Sequence, residues 1–279
     1  MRLTPPLLAR AASWTGTVAY MDNQEPADPA LKAAARQGRE ATSALEGPSG
    51  DGRPAPLPVG RHGLSRETVE RSQRERILEA MIGAVAERGY LETTVADVIG
   101  PAGVSRATFY AMFSNKEDCY LATLDWLMAR LTSFVGAAWQ RHGDWRHQVR
   151  AGLGAFLAAL AARPEAARVA FVESAAAGPS ARERIRAATG SFIPYLDEGR
   201  RLSERGDELP DQVSRVVVGG VAGIVFEEVL EGHAQKLLRL LPELLYTVIV
   251  PYLGHAAALE DMRGAARRLE EIARVGGAG

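Results

Sequence analysis

Cysteine is almost missing from this 279-residue chain, where Cys119 stands alone. One cysteine excludes an internal disulfide framework and a cysteine-rich zinc site, and it makes a reducing compartment the default. Lysine is nearly as scarce: Lys32, Lys116 and Lys236 stand against thirty arginines. Aromatic residues make up only 6%, and Ala, Leu and Val take their place, which leans towards helices. Net charge is missing too, with 33 Lys+Arg against 34 Asp+Glu. That balance excludes a uniformly basic nucleic-acid coat and an acidic solvating protein, but not a local basic face. Long apolar runs are lacking as well. The uncharged stretches Ala151–Ala162 and Val216–Phe226 fall short of the roughly 18 residues of a membrane span. The opening MRLTPPLLAR has an Arg on each side of a proline-broken patch and makes a poor signal peptide. A cytoplasmic protein with no membrane partner is the expectation.

What is present is a hydrophobic content of 47%, enough for a sizeable core. Residues 1–62 read as a disordered extension, because EGPSGDGRPAPLPVG and its surroundings offer no sustained apolar period to offset chain entropy. A short helix over 30–45 fits there, and Met21 is an alternative start. Periodicity begins after Leu64. Ser65 is placed to cap a helix running to about Arg88, with Ile77, Leu78, Met81, Ile82 and Val85 on one face and Gly89 as its left-handed stop. Thr93 is expected to cap a second helix that ends near Ile99, since Pro101 disfavours helical geometry at Gly100. Ser105 caps a third helix to about Met112. Asn115 caps a fourth, with Asp118 completing a variant capping box. Further helices are expected at 115–141, 144–162, 164–177, 180–205, 210–233, 235–253 and 256–274. The fold class is all-α: a three-helix unit at 63–118 and a helical domain at 119–279.

The informative stretch is TTVADVIGPAGVSRATFYAMF, residues 93–113. It reads as helix, tight turn, helix. Ala102 lets the helices approach, Gly103 allows the turn, Val104 plugs the space and Ser105 starts the next helix. Phe109 and Phe113 are spaced to face the core, which points Arg106, Ala107 and Tyr110 outward. A helix presenting its N-terminal polar residues outward suits the major groove of DNA.

This pattern resembles the helix-turn-helix of the tetracycline-repressor-type (TetR) family of bacterial transcription regulators. The likeness covers roughly 70–125 and includes Gly89-Tyr90, Thr93-Thr94-Val95, Asp97-Val98, Ala102-Gly103-Val104-Ser105, Thr108, Tyr110, Phe113 and Lys116-Glu117. The resemblance implies that Thr94, at a helix N-terminus, donates to a phosphate. Thr108 and Tyr110 touch the DNA backbone and Lys116 holds another phosphate. Arg106 is the candidate for base reading, through two hydrogen bonds to a guanine edge. Ser105 opens the recognition helix beside them, and Ala107 reaches at most a thymine methyl. A lysine in the first turn opposes the helix dipole, and this chain uses lysine rarely; both favour a phosphate partner for Lys116. Ile99, Gly100-Pro101 and Ala111 depart from the family's usual pattern. Upstream, Arg61 and His62 could form a minor-groove arm, although a flexible linker is the preferred reading.

In the second domain, RVVVGGVAGIVFEE (215–228) puts Val217, Val221, Ile224 and Val225 on one face beside Gly219, Gly220 and Gly223. Glycine costs about 1 kcal/mol in a helix relative to alanine, so three together suggest close helix approach. Leu237, Leu238, Leu241, Leu244, Leu245, Val248 and Tyr252 form the next apolar face. These helices are expected either to build a four-helix homodimer interface, as the resemblance implies, or to form an intramolecular core. The resemblance also implies a small-molecule effector pocket. Trp126, Phe156, Glu173, Phe192 and Tyr195 are its candidate residues, and Phe134, Trp139 and Phe171 lie on the same helices. No cofactor or metal is expected.

The reading is a homodimeric, ligand-responsive transcriptional repressor on a near-palindromic double-stranded operator. A helical ligand-binding or adaptor protein with weakened DNA binding is the first rival, supported by Ile99, Gly100-Pro101 and Ala111. An enzyme is the second, but the five histidines are scattered and neither HExxH nor GxSxG occurs. Residues 63–130 carry 8 positive and 10 negative charges. Within 93–116, only Asp97 opposes Arg106 and Lys116. DNA affinity must then come from a few placed donors and dimer symmetry rather than a basic field.

Overall fold

The computed structural model describes residues 66–276. The extension, the Ser65 cap, the arm at Arg61-His62 and the alternative start at Met21 lie outside them. Every regular element among the described residues is helical. Helices α1 (Arg66–Arg88), α2 (Val95–Ala102), α3 (Arg106–Met112) and α4 (Lys116–Gln140) come first. They are followed by α5 (Trp145–Ala162), α6 (Pro164–Arg168), a π-helical turn (Val169–Glu173) and α7 (Ser174–Ala176). Then come α8 (Pro179–Gly190), α9 (Ile193–Leu202), α10 (Val213–Leu230), a 3-10 stretch (Ala234–Leu240) and α11 (Leu241–Gly276).

The chain divides into two compact units. In the first, α1 up to Ala84 groups with Thr94–Cys119. Its core is the expected α1 face, Ile77, Leu78 and Met81, with Val98, Ala102, Phe109 and Phe113, all 2% exposed or less. Burying each large apolar side chain contributes about 1.5–3 kcal/mol. Cys119 is fully buried here.

The second unit joins Val85–Thr93 to the helices from Tyr120 onward. Here α5 packs against the 3-10 stretch and α11, while α9 lies against α10 and α11. Trp145 opens α5 behind the cap formed by Asp144, whose carboxylate accepts the His147 N–H at 3.1 Å. The Trp145 indole donates to the Tyr195 carbonyl at 2.9 Å. A Cβ on Gly199 would come within 2.4 Å of that indole, so α9 can approach Trp145 only because residue 199 is glycine. Arg146 and Arg150 of α5 both grip the buried Asp261 of α11, and Arg146 also holds Glu260 at 2.7 Å.

Several sequence expectations need correction. The helix expected over 180–205 breaks at Ser191–Phe192, because Pro194 cannot donate to the preceding turn and instead sits in the first turn of α9. The segment 164–177 is helical but interrupted by a π turn. Residues expected to begin an α-helix at 235 form a 3-10 stretch, whereas the break expected between 253 and 256 is present as the non-helical kink at Gly254 (φ 75°) within α11. Within the single chain Ile224 is 39% exposed, while Val217, Val225 and Val229 are buried, so the chain's own core covers only part of the face expected on α10. Gly219, Gly220 and Gly223 approach no other helix of the same chain, since an added Cβ at each meets nothing within 4 Å. In contrast, Leu237, Leu241, Leu244, Leu245, Val248 and Tyr252 are used within the chain's own core. One stretch, Ala234–Glu271, is long and apolar enough to cross a membrane by length and composition. Counting only uncharged runs overlooked it, because Lys236, Arg239 and Glu243 interrupt it early; Leu241, Leu245 and Ile249 are fully buried.

Candidate nucleic-acid interface and ligand cavity

The turn of the first unit is built at the end of α2. Gly103 takes φ 61° and ψ 41°, the left-handed conformation that only glycine adopts at little cost. Its N–H donates to the Gly100 carbonyl at 3.0 Å, and the Val104 N–H donates to Ile99 at 3.2 Å. This paired arrangement closes a helix in the Schellman manner. The Arg76 guanidinium adds a 2.7 Å bond to the Ala102 carbonyl, placing a cation at the negative end of α2. Sequence reasoning missed that contact, which no local pattern announces.

The second helix departs from expectation at both ends. Its cap is Thr94, not Thr93. Thr93 is buried and spends its hydroxyl on the Gly89 carbonyl at 2.8 Å. Asp97 lies three residues after Thr94 and accepts both its N–H (2.9 Å) and its hydroxyl (2.7 Å). The helix also continues through Pro101 to Ala102 rather than ending near Ile99. Proline disfavours a helical predecessor largely through that residue's Cβ, and Gly100 has none.

On α3, Ser105 accepts the Thr108 N–H at 3.0 Å and its hydroxyl pairs with the Thr108 hydroxyl at 2.8 Å. Phe109 and Phe113 point inward with ring centroids 5.6 Å apart. Arg106, Ala107, Tyr110 and Ala111 are exposed, Thr108 and Lys116 half-buried. Tyr110 is 48% exposed and rests edge-on against Phe109. Asn115 accepts the Asp118 N–H at 2.9 Å, while the Asp118 carboxylate reaches back to the Ser114 N–H. Ser105, Arg106, Ala107, Thr108 and Tyr110 are therefore gathered on or at the head of one short helix. Thr94 and Lys116 open the helices on either side of it in sequence.

The second unit holds an apolar cavity of about 100 Å³. Met128, Leu131 and Val135 of α4 line it, with Phe156 of α5, Phe171 of the π turn and Val218 and Ala222 of α10. Trp139, Thr189, Phe192 and Tyr195 complete that wall. Of the sequence candidates, Phe156, Phe192 and Tyr195 come together there, with Phe192 6.1 Å from Phe156 and 6.4 Å from Tyr195. Trp126 lies off the cavity, its ring under the Arg130 guanidinium. Glu173 also lies off it: its carboxylate accepts the Tyr90 N–H at 3.0 Å and pairs with Arg168 at 3.1 Å. The spacing of Met128, Leu131, Val135 and Trp139 along one face of α4 is the signal that could have found this wall. Beside the π turn, the Tyr120 hydroxyl donates to the Val169 carbonyl at 2.7 Å. Burial pushes the Tyr120 phenol far up, so it stays a neutral donor.

A short helix presented outward after a tight turn, followed by a separate helical unit with its own cavity, defines a helix-turn-helix protein with a second, ligand-sized compartment. Residues 77–123 match the family described as bacterial regulatory proteins, tetR family. The chain is 27% identical over 167 residues to the HTH-type transcriptional activator FasR of Mycolicibacterium smegmatis, covering 60% of this chain and 75% of that one. It is 39% identical over 69 residues to the HTH-type transcriptional regulator CymR of Pseudomonas putida, where the match spans only 34% of the relative and 22% of this chain. Among solved structures, the fatty acid degradation regulator FadR of Bacillus halodurans superposes with a TM-score of 0.58 at 21% identity, over 63% of this chain and 94% of that one. FadR of Bacillus subtilis in complex with stearoyl-CoA gives 0.53 at 19% identity, over 64% and 97%. Residues 77–123 thus carry the tetR-family domain, and the chain is similar to proteins named as transcriptional regulators.

Proposed function

We propose that this protein is a homodimeric, ligand-responsive repressor that grips a near-palindromic operator through α3 of each subunit. The exposed row Arg106, Ala107 and Tyr110, held by the buried pair Phe109 and Phe113 behind the Gly103 turn, is the observation that carries the reading. Such a helix fits the major groove, and two of them bind half-sites about one helical turn apart. Arg106 makes no hydrogen bond or ion pair with another described residue, so its guanidinium is available for a guanine edge. Asp97 occupies both donors of Thr94, so a phosphate at this helix start would take the N–H groups that follow or draw the hydroxyl away.

The dimer is supported by α10. Val216 is 69% exposed and Ile224 39% exposed, on the side where Gly219, Gly220 and Gly223 leave open space. A second copy of this helix could approach closely there, which gives the three glycines a use. Ligand response is supported by the cavity and by what adjoins it. Phe171 lines the cavity, and Glu173, two residues later in the same π turn, holds the N–H of Tyr90 between α1 and α2. A ligand that repacks Phe171 would thus bias the segment leading into α2. FasR, one relative, carries the name of an activator, so the direction of regulation needs its own test.

The purified chain should shift specific genomic fragments at moderate salt, and transcription from such a template should rise when the fragment is released. No specific fragment would sink the DNA-binding reading and favour the adaptor. Transcription that falls on release would make the protein an activator.

A further inference from the structure

Helix α1 brings Arg66, Arg71, Arg74 and Arg76 to the first unit, and they are held in different ways. Arg66 pairs with Glu70 at 2.7 Å. Arg76 gives its guanidinium to the Ala102 carbonyl. Arg74 has neither kind of partner: it makes no hydrogen bond or ion pair with another described residue. The acid one turn before it is Glu70, which Arg66 already occupies. Asp118, the acid nearest the start of α4 with a defined contact, is turned to the Ser114 N–H at 2.9 Å.

Arg74 is nonetheless fixed in place. It is exposed, yet its guanidinium carbon lies 4.8 Å from the centroid of the Phe113 ring. Phe113 is 2% exposed, follows directly on α3 and packs against Phe109. The cation therefore stands at the C-terminal end of the helix that presents Arg106 and Tyr110, and Lys116 opens α4 just beyond. Stacking engages the flat face of a guanidinium and leaves its N–H edge free. That edge is a rigid fork matched to the oxygens of a phosphate. A side chain already ordered by a ring gives up less rotamer freedom when it binds.

We infer that Arg74 is a DNA-binding residue: it reaches from α1 to grip a backbone phosphate beside the end of α3, on the flank where Lys116 lies. The inference rests on the DNA-binding reading above. Residues 63–130 carry 8 positive and 10 negative charges, so the unit binds a polyanion through single placed cations, and a stacked, unpaired arginine is one of them.

Mobility shifts of the full chain test this, on a genomic fragment that it captures and on a random duplex of equal length, each across a salt series. Arg74→Gln should weaken both duplexes alike and reduce the slope of log affinity against log salt by about 0.9 per subunit. Arg74→Lys keeps the charge without the fork, and should keep the slope while losing affinity severalfold. Arg66→Gln removes the same charge from the same helix, where Glu70 already balances it, and should leave the slope unchanged. Thermal melting of the free proteins separates binding from folding, because an Arg74 that only covers Phe113 would lower the melting temperature and leave the slope alone. An unchanged slope for Arg74→Gln, or an equal fall for Arg66→Gln, overturns the inference. If Lys116→Ala lowers the slope and Arg74→Gln does not, the DNA-binding reading stands and only the part of Arg74 is lost. A wild-type chain that shifts neither duplex removes both.

Discussion

Glu173 accepts the backbone N–H of Tyr90 at 3.0 Å although 83 positions separate them. Glu173 is 8% exposed, and its other oxygen pairs with Arg168. Removing a buried acceptor leaves the donor without water or partner, at a cost of about 1–3 kcal/mol. Glu173→Ala should therefore lower the unfolding free energy, read from the urea midpoint, by that much. Glu173→Gln keeps an acceptor for Tyr90 and loses only the charge on a half-exposed arginine, worth about 1 kcal/mol or less. Equal losses in the two variants would show that the ion pair, not the hydrogen bond, is what matters.

Arg106 and Lys116 should fail in different ways. Arg106→Ala removes a base contact and should flatten the preference for operator over random DNA by about 1–3 kcal/mol per half-site. Lys116→Ala should weaken all DNA alike and reduce the slope of log affinity against log salt by about 0.9 per subunit. Mobility shifts across a salt series on operator and random duplex give both numbers. An unchanged slope would mean that Lys116 touches no phosphate.

The helix-turn-helix was legible because its signals are local. Gly103 marks the turn, Ser105 the cap, and the spacing of Phe109 and Phe113 the buried side. Where legibility failed, the deciding contact was distant or depended on a neighbour. Pro101 read as a stop, yet Gly100 without a Cβ lets the helix pass. Thr93 read as a cap, yet the Gly89 carbonyl takes its hydroxyl. Glu173 read as a pocket residue because it is polar on a helix rich in apolar side chains, and its partner Tyr90 could not be guessed from spacing. The helical period does identify a face, but not whether the chain itself or a second copy covers it. That is why Leu241, Leu245 and Ile224 were all open to both readings.

The bare face of α10 makes a prediction about assembly. Val216→Glu places a charge where the single chain leaves the side chain 69% exposed. Folding of the protomer should change by about 0.5 kcal/mol or less. A dimer packed on this face would lose the contact, because an unpaired buried charge costs several kcal/mol. Light scattering should move from twice 30.0 kDa to 30.0 kDa while the helical circular dichroism holds. An unchanged mass would put the dimer interface elsewhere.

Gly103→Ala tests the turn itself. A residue with a Cβ at φ 61° costs about 1–2 kcal/mol, and the new methyl would also lie 3.2 Å from the Arg76 guanidinium that caps α2. Stability of the first unit should fall by at least that amount, and operator affinity should fall with it as α3 loses its fixed angle to α2. Gly219→Ala, where an added Cβ meets nothing, is the matched control for protomer stability. A Gly103→Ala protein as stable as the control would contradict the left-handed turn.

Acid should loosen the start of α5 through Asp144. The N–H of His147, foremost, together with its side chain, holds the Asp144 carboxyl below the ordinary aspartate range. A carboxyl whose affinity for protons falls on folding stabilises the native state above its unfolded value of about 3.9, and that contribution disappears as the pH drops through the lower folded value. Stability should therefore decline from about pH 4 downward. Asp144→Asn isolates this part, because asparagine caps a helix about as well but does not titrate. The wild type should be the more stable of the two at pH 7, and the gap between them should close or reverse in acid. A gap that stays constant from pH 7 to pH 3 would show that Asp144 acts through its shape and not its charge.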